Sequence, residues 1–230
     1  MVKKYKNVLI TGDLHLGDVG FHDEEKLVDE IKNRRPELVV FGGDTFDPWR
    51  GNSVEELIAR YNKLFSFLKN ISGRVVFLRG NHDPDIDPLR RIGFSVRKTF
   101  KYISATNKRV KIIHGHEFDT DCRRFEFLTR KFVYLEEKIN RLLLTFGNEK
   151  LFRAISLLGN LDLIRILNNF QKRIKYYRST DILVFGHTHV PLVGAKSKLE
   201  FYNWGGWQND LGIRPGIIVN KGGSVNLVQV

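Results

Sequence analysis

The first hundred residues alternate short apolar runs with amphipathic segments. Apolar runs at 7–11, 37–44 and 74–83 predict strands that are buried on both faces. The segments between them, 23–35 and 53–70, carry apolar residues at helical spacing. This alternation of strand and helix predicts an α/β architecture with short crossover connections.

Both predicted helices have terminal signals. The helix at 23–35 begins with acidic residues and ends with basic ones, which matches the helix dipole. The helix at 53–70 begins at Ser53, and Glu56 completes the pattern of a capping box. We therefore expect each helix to start close to these positions.

The rest of the chain contains more short strands and one helical stretch. From 120 to 178 strand signals vanish and apolar residues recur at helical spacing, with breaks at Gly147 and Gly159. We expect a single domain over 1–230, in which two sheets flanked by helices carry a helical insertion at about 120–178. The additional strand patterns lie at 94–98, 101–105, 109–115, 181–187, 199–206, 215–220 and 224–230.

The chain is strongly basic, with a formal net charge of +12. Over half of this excess lies in the predicted insertion, which has 13 Lys and Arg residues against 6 Asp and Glu residues. A basic excess is typical of proteins with anionic partners: phosphate-rich substrates, an anionic membrane surface or nucleic acid. A well-solvated surface gives the same composition, so charge alone does not choose among them.

Few features bear on the compartment. The single cysteine, Cys122, excludes an internal disulfide and suits a reducing environment. The N-terminal apolar run VLI is too short for a signal peptide, and no stretch approaches the roughly 18 apolar residues of a membrane span. We expect a cytoplasmic protein that the basic charge brings to membrane surfaces as a peripheral protein.

Five short segments share one design, in which an apolar strand ends and residues of metal-ligand type follow. They are GDLH, GGD, GNHD, HGH and GHTH, and they carry six of the seven histidines. The carboxyl ends of strands are where open α/β sheets build their sites. The residues concerned are Asp13, His15, Asp44, Asn81, His82, Asp83, His114, His116, His187 and His189.

Each segment alone is weak, because a lone histidine beside a glycine turn is common. Five of them after five apolar strands are difficult to obtain by chance. Carboxylate, imidazole and amide donors together suit borderline or hard divalent metals. The absence of thiolates from the set argues against a structural zinc knuckle.

The order of these segments resembles that of the calcineurin-like metallophosphoesterase superfamily over nearly the whole chain. The resemblance implies an αββα fold and two divalent ions, with manganese expected and iron or zinc as alternatives. It further implies that Asp44 bridges the two ions. One ion would be held by Asp13, His15, Asp44 and His189, and the other by Asp44, Asn81, His114 and His187.

The same resemblance implies catalytic roles. His82 would protonate the leaving oxygen or stabilise the phosphoryl charge. A nearby carboxylate would orient its ring, and both Asp47 and Asp83 are candidates.

The flanking residues are similar to a narrower group, the UDP-2,3-diacylglucosamine hydrolases. GDTFDPWRG, HGHEFDTDCRRFEFL and NWGGW carry this likeness. The chain departs from the group at His82, where arginine is usual, and at Cys122, where a second aspartate is usual. The likeness implies a lipid-binding cap in the insertion, and the alternative is a helical hairpin that only covers the sheet. Residues predicted to bind substrate are Trp49, Asp121, Arg123 and Arg124.

Three functions follow from these observations. The first is hydrolysis of a phosphodiester or pyrophosphate bond in a phosphorylated small molecule, either nucleotide-linked or lipid-like. A DNA or RNA nuclease is the alternative, less favoured because such enzymes usually carry a further capping domain. A non-enzymatic metal-binding scaffold is the third, and the complete set of seven ligand positions argues against it.

Overall fold

The computed structural model describes residues 2–17, 23–48, 52–83, 85–119, 169–170, 172–207 and 216–229. Their regular elements are the strands β1 (Asn7–Thr11), β2 (Leu38–Phe41), β3 (Val75–Leu78), β4 (Ser95–Arg97), β5 (Phe100–Ile103), β6 (Arg109–Ile112), β7 (Ile182–Phe185), β8 (Leu192–Lys196), β9 (Leu199–Asn203), β10 (Gly216–Lys221) and β11 (Ser224–Gln229), and the helices α1 (Glu24–Arg34), α2 (Val54–Arg60), α3 (Asn62–Asn70) and α4 (Asp87–Arg91).

The strands form two sheets. One has the order β11-β10-β1-β2-β3-β4, and the other has the order β5-β6-β7-β9-β8. Strands β1 to β4 run parallel in the first sheet, as do β6, β7 and β9 in the second. The remaining strands pair antiparallel at or near the sheet edges.

Alternation along the strands builds three apolar layers. Val8 and Ile10 of β1 face the second sheet, where they join Ile182 and Val184 of β7 in the central layer. Leu9 points to the opposite side and packs with α1 to α4. A third layer covers the outer face of the second sheet. The prediction of a two-sheet sandwich flanked by helices is therefore confirmed.

One predicted helix is interrupted. The segment 53–70 forms α2 and α3, which are separated at Tyr61. The backbone N–H of Leu64 donates to the Glu24 carboxylate at 2.7 Å, so α1 supplies the acceptor that a continuous helix would provide from within. At the other end the expected capping box between Ser53 and Glu56 is present.

Two elements were not predicted, β8 and α4. Strand β8 is mostly exposed, and so it lacks the buried apolar run that marks the other strands. Helix α4 has only five residues. The predicted insertion falls largely outside the described residues, so its helical nature and the single-domain boundary stay predictions.

Candidate metal centre

All seven predicted ligands lie together at one edge of the sandwich. They follow the carboxyl ends of strands from both sheets, as the strand-end pattern predicted. From the first sheet come Asp13 and His15 after β1, Asp44 after β2 and Asn81 after β3; from the second come His114 after β6 and His187 and His189 after β7.

Backbone hydrogen bonds hold the first two ligand loops side by side. The N–H of Asp13 donates to the Gly43 carbonyl at 2.9 Å, and the N–H of His15 donates to the Asp44 carbonyl at 3.0 Å. These bonds extend the pairing of β1 with β2 beyond the strands. The two loops therefore present their side chains from a fixed base.

The ligand loops use an unusual backbone conformation. Eight non-glycine residues in the described part of the chain have positive φ angles, and five of them are predicted ligands. The left-handed region is uncommon for residues with a Cβ and concentrates at functional sites. Those five are Asp13 (50°), His15 (48°), Asp44 (47°), His187 (72°) and His189 (56°).

The ligand atoms form two adjoining groups. Asp13, His15 and His189 place their donor atoms within 4.8 Å of one another, and so do Asp44, His114 and His187. The Nε2 atoms of His15 and His189 are only 3.2 Å apart. Imidazole nitrogens this close suit ligands that point at a shared ion.

Asp44 lies between the two groups. Its Oδ1 accepts the backbone N–H of His82 at 2.7 Å. Its Oδ2 lies 3.1 Å from Nε2 of His114 and 3.8 Å from Nε2 of His15. A single carboxylate oxygen therefore faces imidazoles of both groups. Asn81 adds an amide oxygen 3.0 Å from the same His114 nitrogen.

A buried carboxylate oxygen provides a test of whether these residues fit a cation. Asp13 is completely buried, and its Oδ1 has no hydrogen-bond partner among the described residues. The same atom lies 3.5 Å from Nε2 of His189. Burying a carboxylate oxygen without a partner is costly, whereas a divalent ion would satisfy it. The donor set therefore fits metal ions.

His82 sits beside this centre with a carboxylate at its ring. Its Nδ1 lies 3.2 Å from Oδ1 of Asp47. The other candidate, Asp83, accepts hydrogen bonds through both carboxylate oxygens from the backbone N–H groups of Thr45, Phe46 and Gly80. Of the two, Asp47 is the one placed to orient the ring. Asp83 instead ties the loop after β3 to the loop after β2.

The calcineurin-like phosphoesterase family model matches residues 6–191. The chain belongs to that family. Membership implies divalent metal ions, which agrees with the ligand groups described above. Comparison of the chain with the curated proteins found no match.

Solved structures share the fold of this chain. Yfce, a phosphoesterase from E. coli, has 14% identity and a TM-score of 0.52, with coverage of 97% of this chain and 99% of that one. A novel archaeal phosphodiesterase has 14% identity and a TM-score of 0.55, with the same coverage. At this identity the likeness establishes the fold alone.

The candidate metal centre concentrates buried carboxylates, chiefly Asp13 and Asp44. Burial opposes the charged form of His114, but the carboxylates of Asp44 and Asp13 outweigh it and raise the pKa of His114 to about 10. Burial also opposes the ionised form of Asp44, yet the neighbouring imidazoles hold its pKa well below the usual value. The negative electrostatic potential that holds the proton on His114 also attracts divalent cations.

His82 and Asp47 show the same pattern. Burial acts against both charges. The charge of Asp44, followed by the contact with Asp47, raises the pKa of His82. Contacts with His15 and then His82 hold the pKa of Asp47 below its ordinary range. Burial also raises the pKa of Asp83, with a further contribution from Asp44 and partial opposition from its backbone donors. The carboxylates around His82 therefore favour its protonated form.

Some predicted residues cannot be placed, and some neighbours were not predicted. Trp49, Asp121, Arg123 and Arg124 lie outside the described residues, so their roles in substrate binding stay predictions. The buried carboxylate of Asp119 lies 3.4 Å from Nε2 of His187. Its place in HGHEFD, five residues after His114, is the only sequence signal for it.

Two further neighbours of the site, Asn203 and Trp204, lie at the end of β9 and directly after it. The indole N–H of Trp204 donates to Oδ2 of Asp13 at 2.6 Å. The side-chain amide of Asn203 donates to the Gly186 carbonyl and to the Thr188 hydroxyl, which holds the loop that carries His187 and His189. Nothing in the local spacing of NWGGW announces these contacts.

Proposed function

We propose that this chain hydrolyses a phosphodiester or pyrophosphate bond with two divalent ions, manganese being the expected metal. Asp44 carries the proposal. Its Oδ2 faces His15 on one side and His114 on the other, at 3.8 Å and 3.1 Å. When bound, two adjacent ions activate water for in-line attack and neutralise the phosphoryl oxygens.

The chain itself supplies the leaving-group chemistry. Asp47 holds Nδ1 of His82 and favours the protonated ring. We assign Nε2 as the nitrogen that gives its proton to the departing oxygen. The backbone N–H of His82 donates to Asp44 at 2.7 Å. The proposed proton donor is therefore hydrogen-bonded through its backbone to the carboxylate that would bridge the two ions.

We propose a nucleotide-linked or lipid-like substrate. The support is the similarity of GDTFDPWRG, HGHEFDTDCRRFEFL and NWGGW to the diacylglucosamine hydrolases, together with the basic, apolar composition of residues 120–178. In this proposal Arg123 and Arg124 contact a diphosphate. His82 replaces the usual arginine of that group, which widens the proposal from one lipid to the class of phosphorylated amphiphiles.

We propose that the basic residues of the insertion bind an anionic membrane surface. The described end of the insertion presents Lys175 and Arg178 beside Tyr176, whose exposure is 74%. Near an anionic membrane each basic residue contributes about 1 kcal/mol, and interfacial aromatic rings add to this. A cavity of about 500 Å³ adjoins them, lined by Arg109, Lys175, Tyr177, Arg178, Thr180, Asp181, Lys196, Ser197, Lys198 and Leu199.

Hydrolysis of bis-p-nitrophenyl phosphate tests the activity. The full chain is treated with a chelator, dialysed and assayed with and without added manganese. We expect activity only with the metal, and none in Asp44→Asn under either condition. A chain that is fully active without metal, or inactive with every divalent ion, would overturn the proposal.

Substrate class needs a second assay. UDP-linked diacyl sugars, the same sugar nucleotides without acyl chains, and single-stranded DNA are compared as substrates. Faster turnover of the acylated compound would support the proposal of an amphiphilic substrate. Nicking of DNA with no turnover of the sugar nucleotides would replace it with a nuclease.

Vesicle co-sedimentation tests the membrane partner. Phosphatidylglycerol vesicles should retain the protein at low salt and release it at high salt, whereas neutral vesicles should not bind it. Lys175→Gln with Arg178→Gln should weaken retention. Lys26→Gln with Lys69→Gln, which removes two exposed bases from the helices on the first sheet, should not. Equal binding to both vesicle types would contradict the proposal.

A further inference from the structure

Trp204 packs beneath the ligand loops of the metal centre. It follows β9 directly, is completely buried, and packs in the apolar layer between the two sheets. Its indole lies against Gly42 at the end of β2 and Gly186 at the end of β7, where any Cβ would overlap the ring. The loops that carry Asp44 and His187 therefore rest on one rigid side chain.

The polar edge of this side chain points at one ligand. The indole N–H donates to Oδ2 of Asp13 at 2.6 Å, and the backbone N–H of His187 donates to the same oxygen at 3.0 Å. The two donors come from the second sheet and Asp13 comes from the first. Oδ2 is thereby fully engaged, while Oδ1 faces His189 without a hydrogen bond among the described residues.

We propose that Trp204 is a positioning residue that fixes Asp13 as a ligand through one oxygen only. By holding Oδ2, the indole sets the rotation of the carboxylate and leaves Oδ1 as the atom directed at the ion. This role rests on the metal-dependent function proposed above. Substrate identity does not enter it.

Physical reasons favour a role beyond filling space. Hydrogen bonds to an ionised acceptor are shorter and stronger than neutral ones, and this one is buried on both sides. Residues that hydrogen-bond to metal ligands orient them, and their loss typically costs about 10- to 100-fold in metal affinity. An indole has a single donor in a fixed place, so it cannot follow the carboxylate if the carboxylate rotates.

The chain offers a matched control in Trp207. This residue is also buried, and its indole N–H donates to the hydroxyl of Thr11 at 2.8 Å. Trp204→Phe and Trp207→Phe each remove one buried indole hydrogen bond from the same loop. Only the first removes a bond to a predicted ligand.

Calorimetric titration of the metal-free full chain with manganese measures the effect without substrate. We expect Trp204→Phe to lower manganese affinity by about 10- to 100-fold. Trp207→Phe should retain wild-type affinity, and the two variants should lose comparable thermal stability. If Trp204→Phe binds manganese like the wild type, or Trp207→Phe loses as much affinity, the assignment is wrong.

A second replacement keeps the test decisive if phenylalanine prevents folding. Benzothienylalanine introduced at position 204 has the shape of tryptophan but carries sulfur in place of the N–H group. It should fold and show the same loss of affinity, whereas normal affinity would refute the role of the hydrogen bond. Failure of the wild type itself to bind manganese, iron or zinc would refute the proposed function, which separates the two outcomes.

Discussion

Nδ1 of His82 and Oδ1 of Asp47 lie 3.2 Å apart, in a place where both side chains are largely buried. The contact selects Asp47 over Asp83 as the carboxylate that orients the proposed acid. It also fixes which ring nitrogen faces the protein and which serves the substrate. The pair can be tested through the leaving group.

We expect His82→Ala to lower turnover of a poor leaving group by roughly 10²- to 10⁴-fold, with metal content unchanged. The loss should shrink for p-nitrophenolate, which departs without a proton. Steady-state assays with alkyl and p-nitrophenyl esters measure the difference. Asp47→Asn should lower turnover in the same direction but less, because the ring stays in place. Equal losses on both esters would point to charge stabilisation instead of proton donation.

Asp44 should matter more than any terminal ligand. Asp44→Asn removes charge from the oxygen that faces both groups, so we expect activity no higher than that of chelator-treated wild type. His189→Asn touches one group only and should retain one ion. Elemental analysis should give close to two ions for the wild type, fewer for His189→Asn and fewest for Asp44→Asn. Two ions retained in Asp44→Asn would argue against a bridging carboxylate.

Metal should stabilise the fold, since the ligands come from both sheets. An ion present at 100 times its dissociation constant adds about 2.7 kcal/mol per site to the free energy of unfolding. Thermal unfolding of metal-free protein with increasing manganese should show a rising midpoint. Asp44→Asn is the control and should show a smaller rise. An unchanged wild-type midpoint would mean that the ligand cluster does not bind manganese in the folded state.

Asp181 gives a prediction about acid stability away from the metal centre. Hydrogen bonds from the Arg109 side chain and backbone lower its pKa from 3.8 to about 2. A lowered folded-state pKa contributes stability above the unfolded value, and this contribution is lost as pH falls through the folded value. Asp181→Asn should therefore be less stable than wild type at neutral pH, and the difference should shrink between about pH 4 and pH 2.

Urea unfolding at several pH values measures this difference. Arg109→Gln should show a pH dependence of the same sign but smaller, because the backbone N–H at position 109 still donates to Asp181. The double variant should be no worse than the larger single effect. Additive losses that do not change with pH would show that the ion pair is not responsible.

Much of the site was readable from sequence because each ligand directly follows an apolar strand. Parallel strands of one sheet gather their carboxyl ends at one edge, so Asp13, Asp44 and Asn81, which follow β1, β2 and β3, meet there without further information. The choice between Asp47 and Asp83 was different. Asp47 lies three residues after Asp44 and Asp83 lies next to His82, so the sequence does not decide between them. Only the folded backbone shows that Asp83 accepts hydrogen bonds from three N–H groups.

Other features depend on contacts between distant segments. Past the break in the helix at Tyr61, the backbone N–H of Leu64 is accepted by Glu24, which lies in another helix. Trp204 contacts Asp13 across 191 positions of the chain. Local periodicity contains no trace of either contact. Strand β8 was missed for another reason, since an exposed edge strand has no buried run to reveal it.

The left-handed backbone at His15, His187 and His189 implies a trade-off between the activity of the protein and the stability of its fold. Non-glycine residues in such conformations cost on the order of 1–3 kcal/mol each, whereas glycine adopts them freely. A library of variants selected only for folded yield, without metal or substrate, should therefore accumulate glycine at these three positions. Selection for activity should restore histidine. The most stable variants of this chain would therefore be those that had lost the histidine ligands and, with them, the activity.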